Sequence, residues 1–466
     1  MGEQSVINDL LNAIADTSLI GRRKPRRPSR AALQEMIEAL LSVRGEASST
    51  EQAAEFLRAY RDLDYAGRTF IFRTLADDYG PDAEALAAAA EAYLATPGQA
   101  TAKALQKAAE PRRVEVFRRL NHVTGGMQAL VAMRLELMER IALHGGLWVV
   151  DDDLKRLFGA WFNRGFLELR VIDWQTSAAI LEKIIRYEAV HEIKGWEDLR
   201  RRIDVPDRRL FGFFHPRLGD EPLIFVEVAL TKDMPAAIGP VLAVERTAIA
   251  PQEATTAVFY SISNCQAGLK GISFGSFLIK QVAADLAREL PGLKTFATLS
   301  PVPGFTAWLR QQGEADALPP ETRDLVAQLA HTPGWLDDEA LAKTAEAALM
   351  PLVAHYLTVA RDRRGRTPDP VARFHLGNGA RLERINFAAD PSPRGMDGAF
   401  GIMVNYRYVL ADVEKNHETF ACEGKVLAVP AINKLARQAK LAEAPRPSEA
   451  AALPSPSGEP ERMTQG

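Results

Sequence analysis

The sequence predicts an α+β protein: an N-terminal all-α helical bundle, followed by an α/β/α domain on a mixed, mostly antiparallel sheet. Three observations predict it. Residues from about 30 to 145 are Ala- and Leu-rich at helical spacing, with no alternating strand among them. Short aromatic and β-branched runs begin after about residue 150. Residues 263–310 read as a strand end, a glycine loop, a helix, a second strand and a Ser-Pro-Val-Pro-Gly turn.

Taken in order, residues 1–30 form a basic, partly ordered leader whose Arg22-Arg-Lys-Pro-Arg-Arg-Pro cluster is balanced by nearby acids. The bundle spans 31–150. Pro81, Pro97-Gly98, Pro111, Gly125-Gly126 and Gly145-Gly146 break it into helices of ordinary length, because proline interrupts the hydrogen-bond ladder. The second domain spans 151–440. In it a strand from Phe166 precedes a helix opened by Ser177 and another at Trp196; three strands follow, from Arg209, Leu223 and Val258. The glycine loop, its helix and the strand from Thr295 complete the order β-α-α-β-β-β-α-β. Residues 441–466 are rich in proline, serine and charge and poor in large apolar side chains, so disorder is expected there.

Composition narrows the function. With 466 residues, 47% hydrophobic and 25% charged, the chain has the make-up of a soluble protein of two domains. A net charge of −3 offers no electrostatic case for nucleic acid. Cys265 and Cys422 are too few for a disulfide framework and lack zinc spacing, so a reducing compartment is expected and a structural metal is not. No run approaches the ~18 to 20 apolar residues of a membrane helix. Glu3 and Asp9 stand where a secretory signal would be basic and apolar.

The loop carries the first functional signal. Gly268, Gly271 and Gly275 precede an apolar helix, so Leu269, Lys270, Ile272, Ser273, Phe274 and Ser276 are expected to offer bare amides near a positive helix end. The pattern is neither a phosphate-binding Walker loop nor the dinucleotide fingerprint, which leaves coenzyme A as a pyrophosphate ligand. On these residues alone a tight packing turn is an equal alternative. Lys280, one turn into the helix, is a further candidate for a phosphate.

The run from Gln266 to Trp308 resembles the malonyl-CoA decarboxylase family. So do His215-Pro-Arg-Leu-Gly-Asp-Glu-Pro-Leu, Val226-Glu-Val-Ala-Leu, Phe374-His-Leu-Gly-Asn-Gly and Met403-Val-Asn-Tyr-Arg-Tyr408, in chain order over about two hundred residues. The resemblance implies a GNAT-like catalytic domain, in which two splayed strands admit the pantetheine arm. It also implies conversion of malonyl-CoA to acetyl-CoA and carbon dioxide, with no cofactor beyond the substrate's own coenzyme A. It further implies a homotetramer assembled through the helical domain, without membrane or nucleic-acid partners. Some relatives end in a peroxisomal Ser-Lys-Leu; this sequence ends Met463-Thr-Gln-Gly466, and a cytoplasmic location is expected.

The family's site residues map onto Ser300, His375 and Tyr408. The implied roles are a histidine that hydrogen-bonds the malonyl carboxylate and polarises the serine, a serine that passes a proton to the carbanion, and a phenol that orients both. By residue type alone, a serine before proline is a turn residue and a histidine beside Phe374 is a core imidazole. At Ser273 the sequence departs from better-known relatives, which carry a carboxylate there. His215 is assigned to capping, Glu227 to a solvent-facing or paired role, and Asn405 and Arg407 to the strand face opposite the tyrosines. Two other readings remain: an acyl-CoA-dependent acyltransferase on the same fold, or a non-catalytic acyl-CoA sensor or assembly protein.

Overall fold

The computed structural model describes residues 29–42, 45–272 and 278–441. The expected tail, nearly all of the leader, and the loop positions Ser273, Phe274, Gly275 and Ser276 lie outside the described residues.

The described helical region comprises α1 (Arg30–Ser42), α2 (Glu46–Arg61), α3 (Tyr65–Asp77), α4 (Ala83–Ala95), α5 (Gln99–Ala108), α6 (Arg112–His122), α7 (Gly126–Ile141) and α8 (Trp148–Trp161). Every proline and glycine break named above falls at a boundary between two of these helices, Gly126 being the first residue of α7. Asp64 and Asp82 accept from the amides of Gly67 and Ala85, capping α3 and α4. Leu33, Ile37, Phe56, Phe72, Phe117, Leu120 and Leu130 are buried, the helical spacing of each stripe turning its apolar face inward.

Downstream come β1 (Glu168–Ile172), α9 (Ala178–Tyr187), α10 (Trp196–Ile203), β2 (Arg208–Phe214), β3 (Pro222–Thr231), α11 (Gly239–Leu242) and β4 (Thr256–Asn264). They lead into α12 (Leu278–Glu289), β5 (Thr295–Thr298), β6 (Ser300–Pro301), α13 (Phe305–Glu314), α14 (Pro320–His331), α15 (Glu339–Thr358) and α16 (Pro370–Gly377). Last are β7 (Arg381–Asn386), α17 (Pro393–Ala399), β8 (Met403–Tyr408), α18 (Val413–Glu423) and α19 (Pro430–Ala436). The expected order from β1 to β5 is observed, with the short α11 added. Strand starts shift by one or two residues: those expected from Arg209, Leu223 and Val258 begin earlier, at Arg208, Pro222 and Thr256, and the strand expected from Phe166 begins later, at Glu168. Asn163 accepts from the Gly165 amide through its side chain and from Phe166 through its carbonyl, which holds residues 164–166 in a turn.

The chain divides into two compact units, residues 1–227 with 261–278, and residues 228–260 with 279–466. Strands β3 and β4 contribute to both, and hydrogen bonding runs in the order β1-β2-β3-β4-β5-β8-β6, with β7 on β8. In the first unit β1 lies antiparallel to β2 from Glu168↔Phe214 to Ile172↔Leu210. Ile172, Ile180, Leu181, Ile184, Leu199, Leu210, Phe214, Phe225 and Cys265 form its second apolar cluster. In the second unit β4 and β5 pair in parallel, whereas β8 pairs antiparallel with β5, β6 and β7. Ala229, Val258, Tyr260, Leu299, Ala389 and Met403 pack on one another there.

Candidate active site

The second unit brings the three expected side chains together. Ser300 Oγ lies 3.0 Å from His375 Nε2, and the Tyr408 hydroxyl lies 2.8 Å from His375 Nδ1. All three residues are buried. Seventy-five positions separate serine from histidine, and both meet at β8: Ser300 pairs opposite Val404, and His375 bonds Tyr408. β5 pairs with β8 at Phe296↔Tyr408 and β6 pairs with it at Ser300↔Val404, so the register carries across the gap at Thr298 and Leu299. Side chains fill that gap. The Tyr406 amide donates to the Thr298 hydroxyl at 3.1 Å, and Asn405 Nδ2 donates to the Thr298 carbonyl at 2.7 Å. Ser300 Oγ donates to Thr298 Oγ1 at 2.9 Å.

The histidine is presented by α16. Asp369 caps that helix, accepting from the Ala372 amide at 2.8 Å, ahead of Pro370 in the first turn. The backbone of Gly304, which closes the Ser300-Pro-Val-Pro-Gly304 turn, lies beside the same carboxylate. The Asp369 carboxylate is fully buried, and desolvation pushes it up to about 6. Gly304 is required at its position because a Cβ would meet the Tyr356 hydroxyl.

Rings enclose the imidazole. Tyr406 stacks on it with centroids 4.7 Å apart, and Phe374 meets it edge-on at 5.1 Å. Burial pushes His375 down to about 3, so the ring is neutral near pH 7, and it holds the Tyr408 phenol well above its ordinary value. Both ring nitrogens are engaged. A hydrogen bond from His375 to a malonyl carboxylate therefore requires one of them to exchange partners.

The glycine loop belongs to the first unit. A Cβ on Gly268 would sit 2.1 Å from the Val131 carbonyl, so glycine is demanded there by close approach to α7. The loop is clasped by Arg134 of α7, whose Nη1 and Nη2 donate to the carbonyls of Gly268 (2.6 Å) and Lys270 (3.0 Å) while Nε pairs with Asp151 at 2.7 Å. Against expectation, three amides are not bare. Those of Leu269, Lys270 and Ile272 donate to Gln266, Ala267 and Leu269 carbonyls, because the loop opens as a 3₁₀ turn that uses its own donors. Gly271 takes a positive φ of 81°. Lys280 pairs with Glu414.

Residues set aside earlier have structural places. His215 accepts from the Arg217 amide and bonds the Trp161 carbonyl. Glu227 is buried and paired with Arg202. Asn405 is buried too, bonded to Thr298, Asn386 and Arg384. Sequence reasoning missed Thr298, Asp369 and Tyr406. Two had a signal: Thr298 stands two residues before Ser300, on the same strand face, and Asp369-Pro370 is a helix-start pair.

A buried serine, histidine and tyrosine in one hydrogen-bonded chain, on a mixed sheet that follows a helical region, form an arrangement able to relay a proton. Comparison with known proteins is specific. The malonyl-CoA decarboxylase C-terminal domain family matches residues 165–446, and the corresponding N-terminal domain family matches residues 79–162. The malonyl-CoA decarboxylase crystal structure from Rhodopseudomonas palustris is 53% identical, covers 87% of this chain and 100% of its own, and superposes with a TM-score of 0.84. That from Agrobacterium vitis is 52% identical, with coverages of 87% and 99% and a TM-score of 0.82. Mitochondrial malonyl-CoA decarboxylase of the goose Anser anser anser is 36% identical, over 79% of this chain and 80% of its own. The chain belongs to the malonyl-CoA decarboxylase family.

Proposed function

We propose that this protein converts malonyl-CoA to acetyl-CoA and carbon dioxide, with Ser300 as the proton donor and His375 as the group that restores its proton. The observation that carries the reading is the 3.0 Å contact between Ser300 Oγ and a neutral, buried imidazole. When the bond to the carboxylate carbon breaks, its electron pair enters the thioester and carbon dioxide leaves. The enolate then takes one proton on carbon. An enolate is a far stronger base than an alkoxide, so a serine hydroxyl suffices as the acid. The thioester carbonyl accepts the electrons, and no further cofactor is called for. Tyr408 holds the imidazole from its other nitrogen. Gly268, Leu269, Lys270, Gly271, Ile272, Ser273, Phe274, Gly275 and Ser276 form the coenzyme A loop in this reading.

The test is thioester chromatography with headspace carbon dioxide on malonyl-CoA, methylmalonyl-CoA, and acetyl-CoA with an amine. Turnover of malonyl-CoA should persist in chelator. Ser300→Ala should lower kcat by roughly 10²-fold or more while coenzyme A binding is kept. Acetyl transfer to the amine without decarboxylation would establish a transferase instead. Two free thiols, Cys265 and Cys422, support a reducing compartment, and we place the protein in the cytoplasm as a homo-oligomer. Cell fractionation and light scattering test those two points.

A further inference from the structure

We propose that Thr298 is a positioning residue that sets the direction of the hydrogen-bond chain, so that His375 carries its proton on Nε2 and Ser300 is kept as an acid rather than a nucleophile. The inference rests on the decarboxylase reading for its meaning, though not for its geometry.

Four groups stand in line: the Tyr408 hydroxyl, the two nitrogens of His375, Ser300 Oγ and Thr298 Oγ1, joined at 2.8, 3.0 and 2.9 Å. A neutral imidazole has one N–H, and each hydroxyl has one proton. Three arrangements satisfy all three bonds. In the first, tyrosine donates to Nδ1, Nε2–H donates to serine, and serine donates to threonine. In the second every donor reverses, and serine donates to Nε2, as a nucleophile awaiting deprotonation would. In the third the histidine bonds run as in the first, but threonine donates to serine, which accepts twice.

Three observations favour the first. The Thr298 oxygen already accepts from the Tyr406 amide, which fills the break between β5 and β6, and its second lone pair can take the Ser300 hydrogen at 2.9 Å. The carbonyl of the same residue is pinned by Asn405, so the strand cannot turn the hydroxyl away. At the other end stands a phenol, a stronger donor than an aliphatic hydroxyl and a weaker acceptor, against a ring nitrogen that accepts well. Each arrangement leaves one hydroxyl hydrogen unused: the first on threonine, the second on the phenol, which is the better donor, and the third on serine while threonine's acceptor site goes unfilled.

The consequence is chemical. With its hydrogen turned to Thr298, Ser300 is not activated for attack on the thioester. It hands that hydrogen to the carbanion and takes the Nε2 proton in exchange, while Tyr408 passes its own proton to Nδ1. The negative charge that began on the enolate ends on the phenol oxygen, and a solvent proton neutralises it as product leaves.

The experiment is ¹⁵N NMR of histidine-labelled protein without substrate, the His375 signal being assigned by its loss in His375→Gln. The wild type should show a protonated Nε2 and a bare Nδ1. Thr298→Val should reverse that pattern and lower kcat at least tenfold with little change in KM, and Thr298→Ser should restore both. Valine also deprives the Tyr406 amide of its acceptor, so thermal melting accompanies the assay; the wild-type spectrum needs no variant at all. A wild type protonated on Nδ1 overturns the proposal, as does a valine variant that keeps the wild-type pattern. An inactive wild type with the expected spectrum would sink the decarboxylase reading and leave this one standing.

Discussion

Burial decides the charge of His375 before any ligand arrives. Held down at about 3, the ring refuses a proton that the unfolded chain binds below pH ~6.5. The stability this represents is whole above that pH and is lost as pH falls towards 3. Asp369 acts in the opposite sense. Raised from 3.8 to about 6, it keeps its proton longer in the folded state, so its contribution is whole below the first value and is lost as pH rises through the second. Urea midpoints measured from pH 7 to 4 should therefore fall less steeply in His375→Gln and more steeply in Asp369→Asn than in the wild type. Tyr406 supplies a different expectation, since its buried hydroxyl has no hydrogen-bond partner. Tyr406→Phe keeps the stack on His375 and should leave stability unchanged or raise it by ~1 kcal/mol in a denaturant titration.

At the scale of elements, α7 holds the loop by an arginine and by bare backbone. Arg134→Met leaves two carbonyls and Asp151 without their shared partner; coenzyme A affinity by calorimetry should fall about tenfold or more, while Ser300 and His375 keep their bond. Gly268→Ala should cost about 1 to 3 kcal/mol in thermal unfolding, as overpacked positions do, because its methyl would meet the Val131 carbonyl. The helix boundaries were legible because proline and glycine mark them chemically, and the first five strands because apolar alternation marks a sheet. The meeting of Ser300 with His375 was legible only through family motifs. What stayed hidden shares one cause. Whether the Leu269 amide is bare depends on which carbonyl folding brings near, and no residue type announces its distant acceptor. Thr298, met by both Ser300 and the Tyr406 amide, sits where the ladder breaks, and a break between two matched registers leaves no local signature.

For the whole molecule, α4 and α5 are the least explained by one copy of the chain. Neither contains a buried residue, and Leu94 near the end of α4 is 78% exposed. If the helical region joins copies, as proposed above, this Ala-rich hairpin is where substitution should tell: Leu94→Glu should lower the mass by light scattering without slowing Ser300 chemistry. The two strands that belong to both units carry a separate consequence for genetics. A gene truncated after Glu227 would translate every helix of the first unit yet omit Cys265, from its second apolar cluster, and the Gly268 and Lys270 carbonyls that Arg134 binds. Such a polypeptide would leave Nη1 and Nη2 of Arg134 without their carbonyl partners, with only Asp151 still paired, and belongs in inclusion bodies. Shuffling one half onto another scaffold is unworkable for the same reason: the two halves are interlaced along the chain and must be inherited together.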